Sequence, residues 1–247
     1  MFELFTPATI ALIGFLALLT ATIHGATGVA GGFLLSAAIA PIIGVAPVVP
    51  VISIALLISH SSRALFNIRD FDRGAFLAIT LPAIPCIIAM AFVYGKMSSQ
   101  LIALVLGLVI LISIPIRRWA KSRKMKATKK TLVGIGTIYG GLSGISLGPG
   151  MLLVPFMLGY GLTKEAFVGT LAAIAVVTNV TRLSIYGATD LLTWEYVQLG
   201  LLIGLITIPG NWLGRSVLRR MTNENHSGFV DVLTVLGALN FFWLAFR

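Results

Sequence analysis

Two arginines, Arg63 and Arg182, each close a short polar run of the same length in an otherwise apolar neighbourhood. The runs are Ser59-His60-Ser61-Ser62-Arg63 and Thr178-Asn179-Val180-Thr181-Arg182. A guanidinium is always charged and presents five N–H donors in a rigid fork, so it suits an oxyanion. Two glycine-rich stretches form a second pair. One holds Gly28, Gly31 and Gly32 and leads into Phe33; the other holds Gly144, Gly148 and Gly150 and leads into Met151. Glycine permits unusual torsions and close backbone approach. A break followed by a short helix aims free N–H groups and the positive end of the helix dipole at one spot, which favours an anion. Thr27, Ser36, Ser143 and Ser146 add neutral donors. The candidate binding residues are therefore Thr27, Gly28, Gly31, Gly32, Ser36 and Arg63 in the first half. In the second they are Ser143, Gly144, Ser146, Gly148, Gly150, Asn179 and Arg182.

Each candidate also has a plainer role. Glycines let membrane helices pack closely, and arginines near helix ends snorkel to the interface. Corresponding interruptions in two halves of a chain nevertheless point to a transporter site. On that reading the arginines guard mouths on opposite faces. His24, just before the first break, and His60, one turn before Arg63, are the candidates for carrying a coupled proton, because imidazole titrates near neutrality. A hydrogen bond within the bundle explains them equally well. No carboxylate stands at an obvious mid-membrane position, since Glu165 and Asp231 fall near segment ends. The sequence has no metal-ligand spacing, no Walker-type phosphate loop and no nucleophile elbow. No metal, cofactor or catalytic residue is expected, and the protein is read as a non-enzyme. Cys86, the single cysteine, cannot form an internal disulfide.

The elements that would position these residues follow from composition. The chain is 57% hydrophobic and only 11% charged over 247 residues, against about 25% charged in a soluble domain. Its long uncharged runs approach the roughly 20 residues a membrane span needs. The formal charge of +10 is concentrated: eight of eighteen Lys and Arg lie in 117–130, between two apolar blocks. That cluster reads as a cytoplasmic loop near anionic headgroups rather than a nucleic-acid surface. The glycine and arginine features recur at one offset, 118 to 119 residues, which indicates a duplication. The expected organisation is a first repeat at 1–116, the basic linker at 117–130 and a second repeat at 131–247.

Five hydrophobic segments are expected per half: Pro7–His24, Phe33–Ile43, Val48–Phe66, Gly74–Tyr94 and Gln100–Ile116, then Leu132–Leu142, Met151–Tyr160, Lys164–Tyr186, Trp194–Gly214 and Gly228–Phe246. The second segment of each half is too short to span and reads as a half-helix or re-entrant piece. With the basic linker inside, positive charge places corresponding loops of the halves on opposite sides. The fold class is thus an all-α integral membrane protein of two inverted-topology repeats. The first segment lacks the preceding basic stretch of a cleavable signal, so it is read as an uncleaved helix with the N-terminus outside. Segments one and two either both contribute to crossing or form a hairpin that enters and leaves on one side; the charge pattern allows both.

The second half resembles the TauE/SafE family of sulfite and organosulfonate exporter-type permeases. The resemblance is carried by Gly148-Pro149-Gly150-Met151-Leu152-Leu153-Val154-Pro155, Gly161-Leu162-Thr163-Lys164-Glu165-Ala166 and Val168-Gly169-Thr170. Tyr186-Gly187, Asp190, Trp194, Gly210, Leu213-Gly214-Arg215 and Arg219-Arg220 extend it. The first half has the same layout more weakly. The family's run of glycines is interrupted here by Pro149, and His60 and Asn179 stand where small polar residues are expected. The resemblance implies secondary transport of sulfite, sulfoacetate or a related organosulfonate across a bacterial inner membrane, driven by the proton gradient. The expected partners are a small anionic substrate and the lipid bilayer, with no nucleic acid; a homodimer is left open. The competing expectations are a passive anion channel that uses the same breaks as a filter, or a permease for another small oxyanion or carboxylate.

Overall fold

The computed structural model describes residues 5–27, 31–123, 126–162, 164–218 and 223–246. Among them the chain forms α-helices throughout, with one short 3-10 turn at Ile68–Asp70 and no strand. The first half contains α1 (Pro7–Thr27), α2 (Gly31–Ile43), α3 (Val45–Phe66), α4 (Arg73–Tyr94) and α5 (Ser99–Arg123). The second contains α6 (Lys129–Ile145), α7 (Gly150–Tyr160), α8 (Lys164–Ala188), α9 (Trp194–Leu218) and α10 (Asn223–Phe246). By length and apolar composition, Val45–Leu65, Arg73–Tyr94, Ser99–Ile116 and Ala166–Ala188 can each cross a membrane. The short second segments are present as α2 and α7, of 13 and 11 residues. At 1.5 Å per residue they reach about 20 and 17 Å, well short of a core of roughly 30 Å.

One boundary needs correcting. α5 continues through Arg123, so the first part of the basic linker is helix rather than loop. Charge ended the apolar run there, but Arg, Lys and Ala are strong helix formers and the helix carries on. The linker finishes at Thr128, which caps α6 reciprocally with Thr131.

Prolines inside α2 and α3 remove backbone donors that no water can replace within a bilayer. Pro41 leaves the carbonyl of Ala37 without its helical partner, and Asn240 Nδ2 on α10 donates to that oxygen at 2.7 Å. Pro50 does the same to Ala46, whose oxygen accepts from the Tyr94 hydroxyl at 2.8 Å. Both repairs tie a broken ladder to a distant helix.

Close contacts at small residues give the helix directions. Added β-carbons at Gly136, Gly140 and Gly144 would lie within 2.5 to 2.8 Å of the backbone of Ile79, Ala83 and Ile87 respectively, so α4 and α6 run side by side in the same direction. Likewise Gly14 meets Ile206 while Gly210 meets Leu18 and Ala21, making α1 and α9 parallel. Gly200 meets Val51 and Gly204 meets Ala55, so α3 is parallel to α9. The Tyr94–Ala46 bond sets α4 against α3, and α6 therefore runs opposite to α1. The packing partners repeat between the halves: α1 lies on α9 as α6 lies on α4, and α2 touches α10 as α7 touches α5.

These directions decide between crossing and hairpin. The Ala127 N–H donates to Gly159 O at 3.0 Å, so the chain entering α6 meets the end of α7. α6 and α7 form a hairpin that enters and leaves on one side. α1 starts on the side where α3 starts, and α2 ends one residue before α3, so α1 and α2 form the corresponding hairpin. The first break at Gly28 lies outside the described residues, as do the side chains of His24 and Thr27 and the surroundings of Gly31.

Candidate functional site

The second hairpin turns over four residues. Ser146 is extended (φ −145, ψ 169), Gly148 has φ +92, and Pro149 returns to helical torsions ahead of Gly150. A side chain at φ +92 is strongly disfavoured, which explains glycine at 148. A β-carbon there would also lie 3.5 Å from the Phe33 ring, so the start of α2 packs against the second hairpin's tip.

Ending α6 inside the protein strips its last carbonyls of helical partners. Ser146 covers Leu142 O through its own N–H at 2.9 Å and its hydroxyl at 2.7 Å. Three more carbonyls at this end are met by α8. Arg182 Nη1 donates to Ser143 O at 2.7 Å and to Ser146 O at 2.9 Å. Its Nη2 donates to Asn179 Oδ1 at 2.8 Å. The Tyr186 hydroxyl donates to Gly144 O at 3.0 Å. Thr178 gives its own proton to Ile174 O, so the 2.9 Å bond between it and Tyr139 runs from the tyrosine. Thr178, Arg182 and Tyr186 are four residues apart and share the helix face turned to α6.

A cavity of about 80 Å³ opens where the tip of the second hairpin meets the start of α2. Gly32 lines it from α2, Leu56, His60 and Arg63 from α3, Tyr139 and Ser143 from α6. Ser146 to Met151 form the turn side, and α8 contributes residues from Leu171 to Arg182. A cavity needs roughly 10–15 Å³ to hold one water, so this space is ample for water or one small ion. Two guanidinium groups stand on its wall, and no Asp or Glu is among its lining residues. Arg182 is only 3% exposed, and its Nε, also buried, has no partner among the described residues. No group of His, Cys, Asp and Glu suited to a metal occurs among those residues.

The family model for the sulfite exporter TauE/SafE matches residues 12–241. The chain belongs to the TauE/SafE family. No curated protein and no solved structure shows significant similarity to it. TauE/SafE proteins are membrane transporters and not enzymes, in keeping with a multi-pass chain of apolar helices.

In this TauE/SafE chain the cavity gathers Gly32, His60, Arg63, Ser143, Ser146, Gly148, Gly150, Asn179 and Arg182 from the sequence-derived candidates. Two expectations about the arginines change. They stand on one cavity rather than at separate mouths, and Arg182 is buried instead of snorkelling, because α6 ends beside it and offers carbonyls. Gly144 does not line the cavity; it is pressed against Ile87 and Met90 of α4, where a β-carbon would lie 2.6 Å from Met90 Cβ. Ser36 is also away from it, fully buried and donating to Phe33 O at 2.7 Å. Gly169 and Thr170 serve the scaffold. A β-carbon at Gly169 would come within 2.7 Å of Asn67 O, and Thr170 Oγ1 accepts from Asp72 N–H at 2.9 Å. Tyr139 and Thr178 were missed in the sequence. The readable signal was the four-residue spacing of Thr178, Arg182 and Tyr186, with Gly136, Gly140 and Gly144 marking where α6 approaches α4.

Proposed function

We propose that this TauE/SafE protein is a secondary transporter that carries a small oxyanion, sulfite or a short organosulfonate such as sulfoacetate, by alternating access through the cavity between the second hairpin's tip and the start of α2. The observation that carries the reading is the pair of arginines on a wall without carboxylates. An uncompensated cation taken out of water costs several kcal/mol. The helix ends do not cancel this charge. The C-terminus of α6 contributes about −0.5 and the N-terminus of α7 about +0.5 at the same turn, leaving the guanidinium charge to be met by a ligand. Arg182 lines the cavity with an Nε–H that has no partner among the described residues, and Ser146 and the Gly148–Gly150 turn lie alongside.

The opposed directions of α1 and α6, with the exchanged packing partners of the halves, support an inverted repeat. Alternating access then consists of one hairpin tip withdrawing from the cavity while the other stays closed. His60, on the cavity wall, is the residue in this reading that carries a coupled proton. Positive charge in 117–130 favours a cytoplasmic linker and an outer N-terminus in a bacterial inner membrane.

The test is flux into proteoliposomes containing the purified protein. Sulfite or sulfoacetate uptake should saturate, show counterflow, and fall strongly in Arg63→Gln. Linear, unsaturated flux would replace the transporter with a channel, and full transport by Arg63→Gln would remove that arginine from the mechanism.

A further inference from the structure

Asn179 lies on the cavity, and both ends of its side-chain amide already have a partner on α8. Its Nδ2 donates to Ala175 O at 2.8 Å, one turn back on α8. That bond fixes the amide plane and turns Oδ1 towards Arg182, where it accepts from Nη2 at 2.8 Å. The guanidinium is thereby held at three points: two carbonyls of the second hairpin through Nη1, and Asn179 through Nη2. The two carbonyl bonds anchor one nitrogen of the planar fork; the third anchors a second nitrogen and so resists rotation of the whole group. Nε is the nitrogen left without a partner among the described residues.

We propose that Asn179 is a positioning residue that acts on the transported anion only through Arg182: it sets the rotation of the guanidinium, and thereby where its unused Nε–H edge lies, and makes no contact with the anion itself. This rests on the oxyanion reading of the cavity. It also assigns the acceptor oxygen of the asparagine, and not its amide donor, as the feature that matters. His60 occupies the equivalent place beside Arg63 in the first repeat, so the two arginines have chemically different neighbours at that position.

A double-mutant cycle with sulfite as the probe tests the assignment. In otherwise unaltered protein, Asn179→Ala should weaken sulfite binding about tenfold, the loss expected for a hydrogen bond to a charged group. The change should appear in KM rather than kcat. In an Arg182→Lys background, which keeps a cation but has no rigid fork, the same substitution should change binding less than about twofold. An equal loss in both backgrounds would mean that Asn179 touches the anion directly, and no loss in either would end its role. A ligand-free arm keeps the decision independent of transport. With arginine labelled by nitrogen-15, the Arg182 Nε–Hε resonance, identified by its absence in Arg182→Lys, should shift and broaden in Asn179→Ala. An unchanged resonance overturns the positioning role even if sulfite binds. A wild-type protein that binds no sulfite but shows the shift would instead sink the oxyanion reading and leave the positioning intact.

Discussion

Replacing Arg182 by alanine removes three hydrogen bonds at once and leaves Ser143 O and Ser146 O buried without their donor. Ser146 is fully buried and Ser143 is 2% exposed, so only water held in the cavity they line could replace the lost donor. An unsatisfied buried polar group costs about 1–3 kcal/mol, and polar bonds within membrane bundles average about 0.6 kcal/mol. The expected loss for Arg182→Ala is therefore about 2–6 kcal/mol. That is a large share of a typical total stability of about 5–15 kcal/mol. Arg182→Lys should cost less, because an ammonium can still meet one of the two carbonyls. The assay is thermal unfolding of purified protein in detergent, followed by intrinsic tryptophan fluorescence with and without sulfite. The order of melting temperatures should be wild type, then Arg182→Lys, then Arg182→Ala, and sulfite should stabilise the wild type most. If Arg182→Ala melted like the wild type, the bonds to the hairpin turn would not be holding it. The same arithmetic shows that loss of transport in Arg182→Ala says little by itself, whereas Arg182→Lys separates anion binding from folding.

Three further outcomes follow from the helix contacts. Pro41→Ala restores the N–H that Ala37 O lacks, so Asn240→Leu should cost about 1–2 kcal/mol in the wild type and almost nothing in the Pro41→Ala background; additive costs in denaturant unfolding would contradict the repair. Gly140→Ala places a β-carbon 2.5 Å from Ala83 O and should destabilise by about 1–3 kcal/mol despite a better helix former, while Gly141→Ala, with nothing within 4 Å, should be neutral or stabilising; equal melting temperatures would refute the contact. Gly148→Ala must hold φ near +92 at a cost of about 1–2 kcal/mol and should lower sulfite uptake in proteoliposomes; full uptake would show that the turn does not need that torsion.

Much of this arrangement was legible in the sequence because it rests on local, periodic signals. The hydrophobic segments, the two short helices and the paired Arg63 and Arg182 all announce themselves through composition or through one repeated offset. The choice between crossing and hairpin was not legible, because charge at loop ends constrains only the parity of crossings. It needed the Ala127–Gly159 bond and the parallel seating of α1 on α9 and of α9 on α3. The end of α5 was misplaced because an apolar run stops at the first charges while a helix continues through them. Gly144 was read as part of the break, although the spacing of Gly136, Gly140 and Gly144 marks one face of a helix. Burial of Arg182 was invisible for a different reason: nothing in its own neighbourhood reveals that α6 terminates at its level.

A helix that stops inside a bilayer creates a demand for hydrogen-bond donors, and water cannot supply them. Neutral side chains meet part of it here, through Tyr186 on Gly144 O and Ser146 on Leu142 O. Two further carbonyls are met by a guanidinium, which can serve Ser143 O and Ser146 O together and still have donors to spare. Such a donor brings a full positive charge that two carbonyl dipoles do not neutralise. In the proposed mechanism, the break in α6 and the preference for anions therefore share a single origin. Any replacement for Arg182 that satisfied the carbonyls without carrying charge would preserve the hairpin and lose the substrate. A neutral amide such as Arg182→Gln approximates that case, so the variant should fold more stably than Arg182→Ala yet bind sulfite no better.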